Sequence, residues 1–571
     1  MHIGISGYFH DSSVALLDNN GDLVDFKKEE YLSRVKGDKS FPRLSLNEIL
    51  RVHGLNNNNV QSITFYEKPL RAWLTILKYS IKNNSLTNEL TRNYFKNIWK
   101  SSVIFKYDLM KYTDLDNIPI YYADHYLSHT LSGLFYNPSK KYAAIVADGY
   151  GDHLCSAIHN VESPRDIKLV WSSEYPHSIG LFYSSVTDFL GFLVNEGEYK
   201  VMGLAAFGEP IYYEKLKQTF NFSNNNLKLN DDYYDFVRST KNSYSQKLVQ
   251  LLDLAPRESH QHLDINTNNF QKYANLASSA QKLVEEILIK LFKHAYEITG
   301  KRNFIFTGGV AMNSVAIKKL SECDFIDELI IPPSPGDSGA AIGAAYFGAL
   351  QSEKKINSIN KIITDNLFPG YHEQNENFIE LAMEKIANSK ESIAVAAELI
   401  ARNKIIATSY GNIETGPRAL GHRSMICNAH NEDTVIHLNT SIKSRSKFRP
   451  TAPVVLDSDV DKYFVISKNI LNCYYHMGAI TTPKTEKIDS IKGVIHVDGT
   501  SRIQICRADQ LLGKILTHLE EYDIHVIANT SFNISSDPMV YSKEDAYMSI
   551  ERMQIDYLLT ENGLYKRRLK E

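Results

Sequence analysis

Cysteine is scarce in this chain of 571 residues: there are five, at positions 155, 323, 427, 473 and 506. They are odd in number, widely spaced and form no CxxC pair. That argues against a thiolate metal site or a disulfide framework and suits a reducing compartment. A surplus of either charge is also missing. With 63 basic and 66 acidic residues the net charge is −3, so no basic field gathers nucleic acid or an anionic membrane. There is no run of 18 apolar residues, whereas a membrane-spanning helix needs about 20. The sequence opens directly on Ile3-Gly4-Ile5, without the basic stretch and apolar core of an export signal. The expectation is a soluble, cytoplasmic protein that takes neither nucleic acid nor membrane as partner. Its composition, 43% hydrophobic and 23% charged, is globular. The length predicts about three or four domains, or two large ones.

What the chain does have is Asp124-His125-Tyr126-Leu127-Ser128-His129, with two histidines four apart. Leu127, Leu131 and Leu134 predict a helix over 125–136, with Asp124 as its N-cap. Positions i and i+4 share a helix face, so His125 and His129 can reach one ion; alone, the spacing also fits two surface or core histidines. Two acidic turns shift the balance. Residues 142–152 read as a buried strand running into Asp148-Gly149-Tyr150-Gly151-Asp152, and Pro335-Gly336-Asp337 opens a helix of small residues. His125, His129, Asp148 and Asp337 then make an N2O2 set for a divalent transition metal, open to a further ligand.

In chain order, residues 2–26 read as three strands, with Asn19-Asn20-Gly21-Asp22 as a hairpin turn and a polar loop, Gly7 to Ser12, that carries His10 and Asp11. Residues 142–171 repeat the plan, which suggests an internal duplication, although hairpins with Asp-Gly turns are common. Residues 44–112 read as mostly helical and without chemistry. A small-residue stretch, 196–208, surrounds Lys200, and residues 221–265 read as an irregular surface excursion. A long helix over 274–299 precedes a strand, 303–306, that meets Thr307-Gly308-Gly309 and Asn313. A glycine pair between strand and helix lets N–H groups approach a phosphate.

The second half is expected to begin after 365. Helices over 376–387 and 391–403 lead to a strand at 405–410 and then to Gly416-Pro417-Arg418-Ala419-Leu420-Gly421-His422-Arg423. Further on lies Lys443-Ser444-Arg445-Ser446-Lys447-Phe448-Arg449-Pro450. Arg445 and Lys447 read as a solvated face. Arg418, Arg423, Lys443 and Arg449, hemmed in by glycine, proline and apolar residues, read as an anion pocket. Arginine forks hold phosphate bidentately, and lysine adds a point charge. Asp498, Thr500 and Arg502, and then Thr530, Ser531 and Asn533, end apolar strands in groups suited to nucleotide sugar and phosphate.

The chain is similar throughout to the O-carbamoyltransferases that modify nodulation factors, cephalosporins and aminoglycosides such as tobramycin. The resemblance is carried by the start Gly7 to Asp11, by HxxxH, DGxGD (148–152), EYKVMGLA (198–205), TGGVAMN (307–313) and PGDSGAA (335–341), and by GPRALGHRS (416–424), IKxRxxFRP (442–450), HVDGT (496–500) and NTSFN (529–533). Ser535-Ser536-Asp537-Pro538 departs from the family's more usual Gly-Glu-Pro.

The resemblance implies an α/β protein of two domains. Residues 1–365 would form an actin-like, two-lobed domain resembling the tRNA threonylcarbamoyl transferase, and 366–571 a YrdC-like α/β domain. It implies that carbamoyl phosphate and ATP, with Mg2+, give carbamoyl-adenylate in the second domain. In the first, a hydroxyl of a small-molecule acceptor, a sugar or natural product, would then take the carbamoyl group and AMP would leave. The metal implied is Fe2+ on His125, His129, Asp148 and Asp337; ligand type alone equally allows Mn2+ or Zn2+. His10 is a candidate base for the acceptor's proton or simply a turn residue, with Asp11 orienting it or the substrate. Gly149, Gly151, Lys200, Gly308, Gly309 and Asn313 would line the adenylate's site. A homodimer is compatible with this picture. An actin-like kinase or ATPase would leave the cationic second half without a task, a tRNA-modifying enzyme fits poorly with the absent basic tract, and a purely binding protein has no use for two polar constellations.

Overall fold

The computed structural model describes the chain apart from residues 69–70, 72–73, 75–76, 79–80, 82–103, 237, 240–241, 262, 264, 268, 353–362, 371–376, 444, 446–448, 450, 535–536 and 569–571. Lys447, together with Ser535 and Ser536 of the departing loop, lies outside the described residues. The chain is mixed α/β and forms two compact units. One is Met1–Glu29 with Lys39–Ile362, the other Glu30–Asp38 with Ile363–Glu571. A single cut at 365 is therefore too simple, because a short early segment belongs with the second unit. That segment is held to the late sequence by its own side chains. The Arg34 guanidinium donates to the carbonyls of Met539 (2.7 Å) and Pro538 (3.3 Å) and pairs with Asp545 (3.4 Å). Tyr31 stacks on Tyr541, with ring centres 6.2 Å apart.

In the first unit, β1 (His2–Ser6), β2 (Ser13–Leu17), β3 (Leu23–Lys28), β4 (Ser62–Phe65) and β5 (Ile120–Tyr122) form one sheet in the order β3-β2-β1-β4-β5. β6 (Tyr142–Gly151), β7 (Leu154–Ser163) and β8 (Asp166–Glu174) join β11 (Asn303–Thr307) and β12 (Glu328–Ile330) in a second, ordered β12-β11-β6-β7-β8; a separate hairpin pairs β9 (Phe220–Ser223) with β10 (Asn226–Leu229). In each five-stranded sheet an antiparallel meander, β1-β2-β3 or β6-β7-β8, is extended from its first strand by two parallel strands. The same plan occurs twice, as the two hairpins suggest. The expectation of a helical, chemistry-poor 44–112 gives way at β4, a buried strand beside β1. Its four residues, Ser-Ile-Thr-Phe, are too few to show a period-2 signal. Within the excursion 221–265 lie most of the β9–β10 hairpin and a short helix, Gln246–Leu252.

Four helices of this unit position the site: α1 (His125–Leu134), α2 (Ile179–Phe189), α3 (Phe270–Thr299) and α4 (Asp337–Ser352). α4 lies against α1 and the first sheet, and its run of glycine and alanine explains how closely. A Cβ on Gly343 would sit 1.8 Å from the Ser128 carbonyl oxygen. Small residues at such a contact let two backbones meet, and this brings the start of α4 to the histidine face of α1.

The second unit is an eight-stranded mixed sheet, ordered β13-β20-β19-β14-β15-β18-β16-β17. The strands are β13 (Met383–Asn388), β14 (Ile406–Thr408), β15 (Ser424–Asn428), β16 (Ala452–Leu456), β17 (Gln504–Cys506), β18 (Val526–Ser531), β19 (Tyr557–Thr560) and β20 (Gly563–Arg567). α5 (Ser392–Ala401) and α6 (Leu511–Leu519) cover it through a core that includes Ile400, Ile406, Ile426, Val454, Leu516 and Ile527. The helix expected over 376–387 stops at Ala382, and Met383–Asn388 is an edge strand paired with β20. Burial of Met383 and Ala387 against the sheet outweighs a helical pattern four residues apart. Among the described residues no helix is long and apolar enough to cross a membrane.

Gly343→Val tests the α1–α4 contact. Overpacking of this kind costs about 1–3 kcal/mol or more. The variant should unfold at lower urea concentration than the parent, and an unchanged midpoint would show that the contact is not a constraint.

Candidate metal centre and anion site

Three local devices set the metal candidate. Asp124 caps α1 as expected, accepting from the N–H groups of Tyr126 (3.2 Å) and Leu127 (3.4 Å). Asp152, buried beneath the helix start, accepts from the His125 N–H (3.0 Å) and the Lys68 N–H (2.7 Å). The absence of a side chain at Gly151 makes room for the His125 ring, which a Cβ there would meet at 2.1 Å. His125 and His129 thus present edge to face, 4.7 Å between ring centres.

Asp148, late in β6, and Asp337, first in α4, close the set. His129 Nε2 lies 3.3 Å from Asp148 Oδ2 and 3.3 Å from Asp337 Oδ1; His125 Nε2 lies 3.8 and 4.0 Å from the same atoms. One donor atom from each of the four residues falls within 4.8 Å of the others, and all four are buried. Both His125 ring nitrogens are buried without a hydrogen-bond partner, and two carboxylates converge on one point. Orphaned ligand atoms around a shared centre fit a divalent cation. Burial opposes a charge on His129, but hydrogen bonds to Asp148 and Asp337 outweigh it and raise its pKa to about 9.

His10 stands beside this set. Its Nδ1 is 3.0 Å from Asp11 Oδ2 and its Nε2 3.5 Å from Asp337 Oδ2. Burial opposes protonation, yet Asp337 and Asp11 win and push the pKa up to about 10. The span 44–112 supplies a neighbour that the sequence did not reveal: Tyr66, just past β4, is buried with its ring 5.3 Å from that of His125.

The glycine turns meet here too. A Cβ on Gly308 would strike the Ala147 carbonyl at 2.2 Å, and one on Gly309 would come within 3.1 Å of Asp148 Oδ1. Gly149 donates its N–H to Asp148 Oδ1 (2.7 Å). Asn313 is committed to structure, exchanging hydrogen bonds with Gln281 (3.0 Å each) and capping the next helix through Ala316 N–H (3.1 Å). Lys200 lies 5.5 Å over the Phe192 ring.

In the second unit, cations crowd at one end of β15, β18 and β16. Lys443 is wholly buried and donates to the Ser531 carbonyl (2.7 Å), to Asn533 Oδ1 (2.8 Å) and to the Asn533 carbonyl. Burial, then the charges of Arg445, Arg449 and Lys36, depress its pKa far below the usual lysine range. Arg502 is depressed in the same way, by burial and then by Arg418, Arg445 and Arg449. Its Nε is buried without a partner.

Two expectations change here. Arg445 is not on a solvated face: it donates to Thr530 Oγ1 (2.8 Å) and belongs to the cluster. Lys443 and Arg445 are two apart, and a helical reading of the charge run hid that they serve one site. Arg423 is fully buried, and its η nitrogens donate to the carbonyls of Tyr410 (2.8 Å), Gly411 (3.0 Å), His422 (3.1 Å) and Tyr541 (3.4 Å). With both nitrogens spent on main chain, it clamps the loop that carries Arg418 and is not placed to bind phosphate. Asp498 accepts from Thr500 N–H (3.0 Å) and Oγ (2.7 Å), closing its own turn. Lys36, in the early segment, is a further cation that the sequence left unassigned.

The geometry thus describes a cation-seeking centre and an anion-seeking centre in one mixed α/β chain. The carbamoyltransferase N-terminus family model matches residues 1–346, and the carbamoyltransferase C-terminus model residues 397–567. The chain belongs to the carbamoyltransferase family and is a carbamoyltransferase. It is 30% identical to an uncharacterised protein of Synechocystis over 98% of this chain and 95% of that one. To the nodulation protein NolNO of Sinorhizobium fredii it is 25% identical, over 98% of this chain and 79% of the relative. Among solved structures, component A of the (R)-2-hydroxyglutaryl-CoA dehydratase of Acidaminococcus fermentans aligns over 62% of this chain and 98% of its own, at 14% identity and a TM-score of 0.33.

His129→Ala should strip metal from the purified protein, and wild-type metal content by elemental analysis would rule out this ligand set. Because His129 holds a proton up to about 9 in the metal-free protein, metal must displace it. Apparent affinity should fall about tenfold for each pH unit below that value. A second comparison separates the arginines. Arg423→Ala should lower the unfolding midpoint, whereas Arg445→Ala should leave it near that of the parent and reduce turnover.

Proposed function

We propose that the protein is an ATP-dependent O-carbamoyltransferase working in two steps, with the adenylate made in the second unit and consumed in the first. The observation that carries this reading is the group of basic residues Lys443, Arg445, Arg449, Arg418 and Arg502, whose mutual repulsion in a buried setting calls for a multiply charged anion. Carbamoyl phosphate beside ATP, with its Mg2+, is such a load. Water releases phosphate from the donor, and the carbamate oxygen displaces pyrophosphate from ATP to give carbamoyl-adenylate. The cations hold the phosphoryl oxygens and stabilise the charge that develops on pyrophosphate. Thr530, Ser531 and Asn533, already in contact with Arg445 or Lys443, position those cations.

For the second step, His125, His129, Asp148 and Asp337 would hold the divalent ion; Fe2+ is the choice that the family resemblance favours. When bound, it supplies Lewis-acid stabilisation of the adenylate's phosphate or carbonyl oxygen. A cation among these ligands also opposes protonation of His10. Neutral His10, steadied through Nδ1 by Asp11, then accepts the proton of the acceptor hydroxyl as its oxygen attacks the carbamoyl carbon and AMP departs. Gly308, Gly309, Gly149 and Gly151 leave main chain open around this point, and Lys200 is a candidate contact for the adenylate. The repeated sheet plan supports an actin-like reading of the first unit. The lack of a net basic charge favours a sugar or natural-product hydroxyl over a tRNA, and cytoplasmic location and a homodimer are carried with this proposal.

Lys443→Ala and Arg445→Ala decide it. Losing one preorganised contact costs about 10²–10³ in rate. Both variants should lose carbamoyl-phosphate-dependent pyrophosphate release yet still transfer the carbamoyl group from adenylate supplied externally. If transfer failed as well, the division between the units would be wrong. Pyrophosphate release that did not depend on carbamoyl phosphate would overturn the proposed donor.

A further inference from the structure

The three strands that end at the cation cluster have second ends, and these meet at another cavity. β15 runs from the Arg418–Arg423 loop to His430, β16 from Arg449 to Asp459 and Lys462, and β18 from His525 to Thr530 and Ser531. At about 3.3 Å per residue, five-residue strands separate the two ends by roughly 15–20 Å. The cavity at the far end has a volume of about 220 Å³ and is lined by His430, Lys462, Tyr463, Lys487, Ser490, Asp523 and His525.

Its walls are built. The buried Asp459 carboxylate accepts from Lys462 Nζ (2.7 Å) and from His525 Nδ1 (3.0 Å), so one carboxylate fixes two cavity-lining donors. Lys487 lies 4.8 Å over the Tyr463 ring, and among the described residues no carboxylate pairs with it. His430 Nε2 is buried and has no hydrogen-bond partner. His525 Nε2 faces the fully exposed Asp523 at 3.4 Å, a pair that water screens. Burial lowers the His430 pKa, and the charges of His525 and Lys487 lower it further, with Asp523 opposing. What this pocket lacks is negative charge at its centre. Asp459 is occupied at the wall, Asp523 is fully exposed and reaches only His525 Nε2, and among the described residues the Lys487 ammonium and His430 Nε2 have no carboxylate partner.

We propose that this cavity is a second oxyanion site, distinct from the catalytic cluster, that takes a phosphate or phosphoryl group between Lys487, His430 and His525. The Lys487 ammonium, the partnerless His430 Nε2 and the Nε2–H that His525 carries as imidazolium are the donors such a group needs, while the Ser490 hydroxyl donates to the Lys487 carbonyl (2.7 Å) and holds that turn.

The test is a titration of the full-length protein, labelled in its histidine rings, with inorganic phosphate at constant ionic strength. His430 and His525 signals are assigned through His430→Gln and His525→Gln. Both signals should move saturably, and the pKa of His430 should rise, since a bound anion favours imidazolium. Lys487→Gln should weaken binding about tenfold or more, Lys487→Arg should restore it, and Arg449→Ala should leave it unchanged. Glycerol phosphate forms a second arm: tighter binding than inorganic phosphate assigns the site to an esterified phosphoryl group, and weaker binding assigns it to the free ion. Absence of saturable movement in both arms, unchanged affinity in Lys487→Gln, or loss in Arg449→Ala would each overturn the proposal.

Discussion

Repulsion between buried like charges is the constraint on which the rest of this structure depends. Two unit charges 4 Å apart at an effective dielectric of 20 interact by about 4 kcal/mol, and the chain arranges such encounters twice with opposite sign. In the first unit the carboxylates of Asp148 and Asp337 converge on the same histidines. In the second, Lys443 and Arg502 are pressed by arginines from several directions. In the first arrangement protons on His129 and His10 offset the carboxylates, and in the second burial and mutual repulsion hold Lys443 and Arg502 well below their ordinary pKa. Much of the surrounding architecture reads as the means of holding these groups against their repulsion: the Asp124 cap, the small-residue face of α4, the Arg423 clamp and the Lys443 hydrogen bonds to the end of β18.

How much of this was legible in the sequence depended on whether a residue's role follows from local pattern. The four cation-site residues did, because a helix face and two acidic turns are local signals, and the structure brings their donor atoms together. The hairpin strands did, for the same reason. β13 did not, since Met383 and Ala387 satisfy a helical spacing and only pairing with β20 decides between the two. Tyr66 was invisible, because its neighbourhood depends on β4 lying beside β1. Arg423 and Arg445 were exchanged for one instructive reason. Glycine and proline neighbours suggest a pocket around Arg423, but they let main-chain carbonyls fold onto its guanidinium. Arg445, in a dense charge run, looked solvated until Thr530, 85 positions away, supplied its partner.

The same three strands end in clusters of basic side chains at both edges of the sheet. Antiparallel pairing of β15 and β16 with β18 means that connections at either edge of the sheet converge in space though they are far apart in sequence. The cation cluster occupies one edge and the histidine-lined cavity the other, with a continuous hydrogen-bonded ladder between them.

The early segment Glu30–Asp38 has a bearing on how the molecule is made. Arg34 and the Met539 carbonyl that it grips are 505 positions apart, so the segment leaves the ribosome long before the surface that receives it exists. Domains generally fold as units, the N-terminal one first, during synthesis. Here the first unit folds while Arg34 and Tyr31 wait for partners that are made only with residues 538–545. Assembly of the second unit therefore waits on residues 538–545, and a gene fragment encoding only 363–571 would yield a product missing one of its own parts.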